Sequence, residues 1–127
     1  MSKSIVYTPD APAAIGPYSQ AILAQGLLFT SGQLGIDPST GELANGVEAQ
    51  ATQAMKNLGA ILTKAGLGYG DIVKTTVFVQ DLGDFAAINA IYGGFFESDP
   101  PARSCVQVAA LPKGALVEIE AVAFKKG

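Results

Sequence analysis

Apolar residues recur along this chain in two different periods, and each change of period marks an element. Residues 19–24 and 27–33 read as two strands turning at Gln25-Gly26, a hairpin. Asp37-Pro38-Ser39-Thr40-Gly41 then supplies turn chemistry: side-chain acceptors, a fixed φ and a permissive glycine. From Val47 the spacing changes. Val47, Ala51, Met55, Leu58, Ile61, Leu62 and Ala65 form one stripe at helical intervals, with Asn45 as the expected N-cap, Glu48 three residues on, and Gly66 at the C′ position. Residues 72–79 are rich in β-branched side chains and predict a strand. A second helix starting at Asp81 or Asp84 carries Phe85, Ile88, Ile91, Tyr92, Phe95 and Phe96. Gly93-Gly94 weakens its last turn by roughly 1 kcal/mol per glycine relative to alanine. Pro100-Pro101 forbids continuation, and strands follow at 102–108 and 117–124, with a short one at 4–7. This order predicts an α+β protein, a mixed sheet with two helices on one face, in a single domain spanning residues 1–127.

Alternation in the last two strands sorts their side chains by face. Arg103, Cys105 and Gln107 share one side, opposite Ser104, Val106 and Val108; Glu118 and Glu120 share one side, opposite Val117, Ile119, Ala121 and Ala123. The apolar sides are expected beneath the helices, and both polar sides on the opposite face of the sheet. Val122 and Phe124 fall on the glutamate side, which favours covering that face by self-association into a closed cyclic oligomer with clefts between subunits.

Composition narrows the chemistry. Nearly half of the 127 residues are apolar and 15% are charged, enough for a sizeable core and against disorder. The net charge of −3, with scattered lysines, weighs against nucleic acid as a partner. No apolar run approaches the ~20 residues of a membrane span, and no import signal is legible, so a soluble cytoplasmic protein is expected. Histidine is absent and Cys105 is the one cysteine. That removes the usual zinc, copper and haem ligand sets, the Ser-His-Asp and Cys-His devices, and any intrachain disulfide. The expectation is no metal and no cofactor. Seven of the eight basic residues are lysine, so the single arginine, Arg103, stands out as a bidentate carboxylate binder on a strand beside a turn. Read without that context, Arg103 is a surface or ion-paired residue, Glu118 a solvated strand residue, Cys105 a small buried hydrophobe, Tyr18 a turn-packing ring and Ser31-Gly32 a bend. The alternating glycines from Gly66 to Gly70 follow a helix and precede a strand, the wrong setting for dinucleotide binding.

Longer motifs carry a resemblance. Pro101-Ala102-Arg103-Ser104-Cys105-Val106, then Ala109-Ala110-Leu111-Pro112-Lys113-Gly114 and Val117-Glu118-Ile119-Glu120-Ala121, closely resemble the Rid family, the RidA or YjgF group of reactive-intermediate imine deaminases. The resemblance continues through Ile15-Gly16-Pro17-Tyr18-Ser19-Gln20-Ala21, Thr30-Ser31-Gly32-Gln33 and Val73-Lys74-Thr75-Thr76-Val77-Phe78-Val79, essentially the whole chain in the family's order. It implies a chorismate-mutase-like fold and a homotrimer with three clefts at subunit boundaries. It places the family's carboxylate-binding arginine on Arg103, its glutamate on Glu118, its tyrosine on Tyr18 and its serine-glycine pair on Ser31 and Gly32. Cys105 matches the cleft cysteine, and Asn89 an asparagine near the site. Pro100, before the Pro-Ala-Arg triplet, and Gly93-Gly94 depart from the family pattern and bear on the shape of the cleft rim.

The implied substrate is a 2-aminoacrylate-type enamine in equilibrium with its imine, hydrolysed to a 2-keto acid and ammonia. In that scheme Arg103 holds the carboxylate and Glu118 positions or deprotonates a water. Ser31 and the Gly32 N–H orient ligand or intermediate, and Tyr18 closes the cleft from its own loop or from a neighbouring subunit. An imine carbon is already electrophilic, so a site without histidine or metal suffices. Two other classes remain: a regulatory trimer that binds small carboxylates without turnover, and an endoribonuclease or translation inhibitor. The scarcity of basic residues disfavours the second.

Overall fold

The computed structural model describes residues 2–126. Its strands are β1 (Ser4–Val6), β2 (Ala21–Ala24), β3 (Leu27–Thr30), β4 (Gln33–Leu34), β5 (Ile72–Val79), β6 (Ala102–Gln107) and β7 (Val117–Phe124), with helices α1 (Val47–Lys64) and α2 (Phe85–Gly93). They form one mixed sheet ordered β1-β2-β3-β7-β5-β6, with β4 also paired to β7. The β5–β6 pair is parallel and the others are antiparallel. A parallel neighbour cannot be reached by a hairpin, so α2 serves as the crossover between β5 and β6.

The alternation read from the sequence decides where the core lies. On β7, Val117, Ile119, Ala121 and Ala123 are at most 3% exposed, and Val77 and Val79 beside them on β5 are fully buried. They meet Ala51, Ala54, Met55, Leu58, Ile61 and Leu62 of α1 and Ile88 and Tyr92 of α2 in one cluster. Each large aliphatic side chain so placed contributes roughly 1.5–3 kcal/mol relative to an exposed one. Both helices therefore lie on one face, as the periodicities predict. The opposite face carries Phe29, Val106 and Phe124, all more than two-fifths exposed.

Strand ends at 4–7, 19–24 and 102–108 fall one or two residues short of the pattern, and three departures go further. Helix α1 is entered through Gly46 rather than Asn45: the N-cap sits at φ 94°, which glycine adopts freely and asparagine does not, and no side chain caps it. Its other end matches expectation, with Gly66 at φ 80° and the N–H groups of Gly66 and Leu67 donating to Thr63 O and Leu62 O. The predicted strand 27–33 is broken after Thr30. Phe29 pairs with Val122 and Gln33 with Ile119, so one extra residue bulges out around Ser31-Gly32, and the Thr30 hydroxyl accepts the Ala121 N–H there. Helix α2 is preceded by a 3-10 turn at Leu82–Asp84 and ends at the glycine pair, leaving Phe95 and Phe96 beyond it but packed on the core.

Candidate active site

The bulge between β3 and β4 builds the acidic half of the site. Glu118 of β7 pairs with Leu34 on one side and Phe78 on the other, on the face away from the helices. Its side chain runs back across Gly32, where an added Cβ would lie 2.7 Å from Cδ and 2.9 Å from Cγ of Glu118. A side chain at position 32 would thus have to displace the Glu118 carboxyl. A cavity of about 460 Å³ opens here, lined by Tyr18, Gly32, Leu34, Lys113 and Glu118 among others. Burial, and next the charge of Glu120, push the Glu118 carboxyl above the ordinary glutamate range. Ser31 sits at the base of the bulge, and its hydroxyl donates to Ser19 O at 2.6 Å, fixing the end of the loop that carries Tyr18. Tyr18 itself is half exposed at the rim.

Arg103 forms the basic half, on edge strand β6. Its Nη1 donates to Asn89 Oδ1 at 2.6 Å, and its guanidinium carbon lies 5.3 Å from the Phe85 ring centre and 5.1 Å from that of Tyr92. Phe85, Asn89 and Tyr92 are spaced i, i+4, i+7 and so share one stripe of α2. Cys105 is half-buried two residues along, packed against the core; burial raises its thiol pKa and the arginine charge partly offsets this. The thiol is therefore held in its protonated, less nucleophilic form.

The expected placement of both polar sides on the open face is corrected here. Arg103 is in register with Thr75, fully buried, and through it with Ala121, so Arg103 and Cys105 lie on the helix-covered side of the sheet. Ser104 and Val106, expected beneath the helices, lie on the open side with Glu118 and Glu120. The physical reason is the length and chemistry of arginine: its apolar stem packs like a hydrophobe while its head finds two aromatic faces and an amide oxygen at the edge of the sheet. In one chain Arg103 and Glu118 are two strands apart and three residues apart along the register, roughly 14 Å between Cα atoms, and on opposite faces.

The structure thus groups Tyr18, Gly32 and Glu118, with Ser31 behind them, and separately groups Arg103, Asn89 and Cys105. Several supporting residues are absent from the sequence reading. Gln20 is buried, accepts the Thr8 N–H, and donates to Thr8 O, Ala11 O and Pro12 O, shaping the cavity wall. Gln50 ties Ala44 O to Leu116 N, and Asn57 donates to Leu34 O and Ile36 O. Their one sequence signal is a pair of amides seven residues apart, next to the apolar stripe of α1. Phe85 and Tyr92 read only as core positions of a helix. Among the described residues no group of His, Cys, Asp and Glu is placed to hold a metal ion, and no helix is long and apolar enough to cross a membrane.

Comparison with known proteins covers this whole arrangement. The family described as Endoribonuclease L-PSP matches residues 8–125. The 2-iminobutanoate/2-iminopropanoate deaminase of Salmonella typhimurium is 54% identical over 129 residues, covering 99% of this chain and 100% of that one. Among crystal structures, the Rid family protein YyfA of Yersinia pestis matches with a TM-score of 0.95 at 49% identity, covering 97% of this chain and 99% of that chain. Escherichia coli TdcF with bound serine matches with a TM-score of 0.94 at 48% identity, with the same coverage of both chains.

Proposed function

This chain belongs to the Rid family, the proteins described as Endoribonuclease L-PSP, and from that membership we propose that it hydrolyses small 2-imino acids, with their enamine tautomers, to 2-keto acids and ammonia. The observation that carries the reading is an arginine held, among the described residues, by neutral partners, an amide oxygen and two aromatic rings, in a chain similar from end to end to a protein named an imine deaminase. Its charge stays available to a ligand carboxylate, and the amino acid bound in the TdcF crystal structure carries such a group.

The chemistry follows from the two halves. Arg103 receives the carboxylate in a forked pair of hydrogen bonds and so fixes C2 of the imine. Glu118, its pKa raised towards the working range, accepts a proton from water as the water oxygen bonds to C2. The Gly32 N–H and the Ser31 oxygen orient the tetrahedral intermediate. That proton passes to nitrogen, and the proton of the new C2 hydroxyl then passes by way of Glu118 to nitrogen as the C–N bond breaks, so that ammonia leaves and the hydroxyl oxygen becomes the keto oxygen. Substrate, water and products balance with no cofactor.

A 2-imino acid spans only a few ångströms, so Arg103 and Glu118 of one chain cannot grip the same molecule. The site is completed between subunits of a homotrimer, with Tyr18, Ser31, Gly32 and Glu118 from one copy and Arg103, Asn89 and Cys105 from the next. The exposed Phe29, Val106 and Phe124 on the open sheet face suit that contact. Each subunit is a single domain, and a lone thiol suits the reducing cytoplasm.

The test couples a serine or threonine dehydratase to the purified protein and follows imine loss. Wild type should accelerate keto-acid release, and Arg103→Ala should lower kcat/KM by a factor on the order of a thousand with unchanged circular dichroism. A well-folded wild type that gives no acceleration leaves a non-catalytic carboxylate-binding trimer; an unaffected Arg103→Ala removes the arginine from the site.

A further inference from the structure

Arg103 is the carboxylate-binding cation of the proposed site, and what surrounds it is unusual for a half-buried charge. A guanidinium removed from water is normally paired with a carboxylate, which would also compete with an incoming one. Here α2 presents a π face, an amide oxygen and a second π face from Phe85, Asn89 and Tyr92, one helical stripe. Each attracts the cation without carrying opposing charge. The second ring is itself anchored: Tyr92 is 5% exposed and its hydroxyl lies 2.6 Å from Thr75 Oγ1, fully buried on β5. Thr75 is the register partner of Arg103 in the parallel β5–β6 pair. Strand, helix and strand therefore close a loop around the guanidinium.

We infer that Phe85 and Tyr92, the latter braced by Thr75, are positioning residues for Arg103, forming with Asn89 a charge-neutral cradle that sets the direction of the guanidinium fork and leaves its charge unspent. This rests on the carboxylate-binding role of Arg103 and adds three residues to it. It also gives Asn89 a different task from substrate contact: its oxygen holds the arginine. Burial, in addition, raises the Tyr92 pKa, so the phenol remains protonated and its bond to Thr75 persists across the working pH range.

Cradle and general packing are separated by exchanging π character at nearly constant volume. Binding of 2-oxobutanoate, which carries the product's carboxylate, is measured by calorimetry, and KM and kcat in the dehydratase-coupled assay. Phe85→Leu should weaken 2-oxobutanoate binding about fivefold to tenfold and raise KM to match, while kcat changes less than about twofold, because the grip on the carboxylate is the same before and during reaction. Phe85→Tyr should restore both. Tyr92→Phe and Thr75→Val, which each cut the brace and keep the fold, should give the same smaller rise in KM, and the double variant no more than either alone. Asn89→Asp supplies the competing carboxylate: binding should fall steeply at neutral pH and recover as the buffer is taken below the ordinary aspartate pKa. Equal binding by the Leu and Tyr variants at position 85, or losses that appear only in kcat as a smaller folded fraction, would overturn the cradle, as would unchanged binding in Arg103→Ala. If the predicted pattern of binding constants holds and wild type shows no turnover, imine hydrolysis is wrong and the cradle stands.

Discussion

Arg103 and Glu118 are both half-buried charges one row of the sheet from the core, yet their surroundings act on them in opposite senses. The arginine is welcomed as a cation: two rings and an amide oxygen attract its charge. The glutamate is disfavoured as an anion: burial and the neighbouring Glu120 both raise its pKa. In the proposed mechanism one half of the site favours the charge it would bind with, and the other disfavours the charge of the group that would move a proton. The difference teaches that a group used for binding is served by a fixed charge, and a group used for proton transfer by a charge that is easily lost. It also explains why the two halves need not share a chain. Placed side by side in one folded subunit they would pair and neutralise each other; held on opposite faces they remain apart, and in the proposed trimer they meet only across a subunit boundary, at a common ligand.

The largest effect follows from that separation. Arg103→Ala and Glu118→Gln chains should each be nearly inactive, yet co-refolded in equal amounts they should regain about a quarter of wild-type activity, since about a quarter of all subunit boundaries then joins two intact halves. No recovery in verified mixed oligomers would place both groups in one subunit's site. Gly32→Ala should come next. The backbone at Gly32 is not left-handed, so alanine is allowed there, but its Cβ displaces the Glu118 carboxylate. We expect kcat to fall roughly tenfold to a hundredfold with carboxylate binding at Arg103 retained, read by steady-state kinetics beside calorimetry.

The smallest effect is on stability. Because the folded state raises the Glu118 pKa, it holds that proton more tightly than the unfolded chain does. The contribution of Glu118 to stability is therefore fully present below the ordinary glutamate pKa of 4.5 and is lost as pH rises through the raised folded value. At neutral pH the ionised group is a cost. Glu118→Gln should raise Tm by about 2 °C at pH 7 and by less near pH 4 in calorimetric scans, while activity is lost. A Tm that falls at pH 7 would mean that the carboxylate is stabilised where it sits.

Much of this was legible beforehand because the core obeys simple periods. The stripe from Val47 to Ala65 on α1, the alternation of β7 and the β-branched run of β5 lie where spacing puts them, since burying apolar surface is the dominant favourable term and admits one face at a time. The family motifs also point to side chains that the fold gathers into two groups, Tyr18, Gly32 and Glu118 in one and Arg103, Asn89 and Cys105 in the other. Legibility ends at local breaks and at edges. The bulge at Ser31-Gly32 cannot be told from an uninterrupted strand by hydrophobicity, and the positive φ at Gly46 moved the helix cap by one residue.

The face of β6 is the most instructive failure. Its alternation of Arg103, Cys105 and Gln107 against Ser104, Val106 and Val108 looks like polar against apolar, and the inference that the arginine faces away from the helices was the natural one. At an edge strand neither side is wholly dry, so polarity alone does not select a face. The rings that Arg103 meets come from a helix earlier in the chain, which no local window contains. The sequence by itself determined the elements, the layer of helices and the inventory of reactive groups, because each depends on spacing within one segment. Only the tertiary structure decided which face Arg103 takes, what cradles it, and that Glu118 lies beyond its reach in the same chain, because those are properties of how distant segments cross.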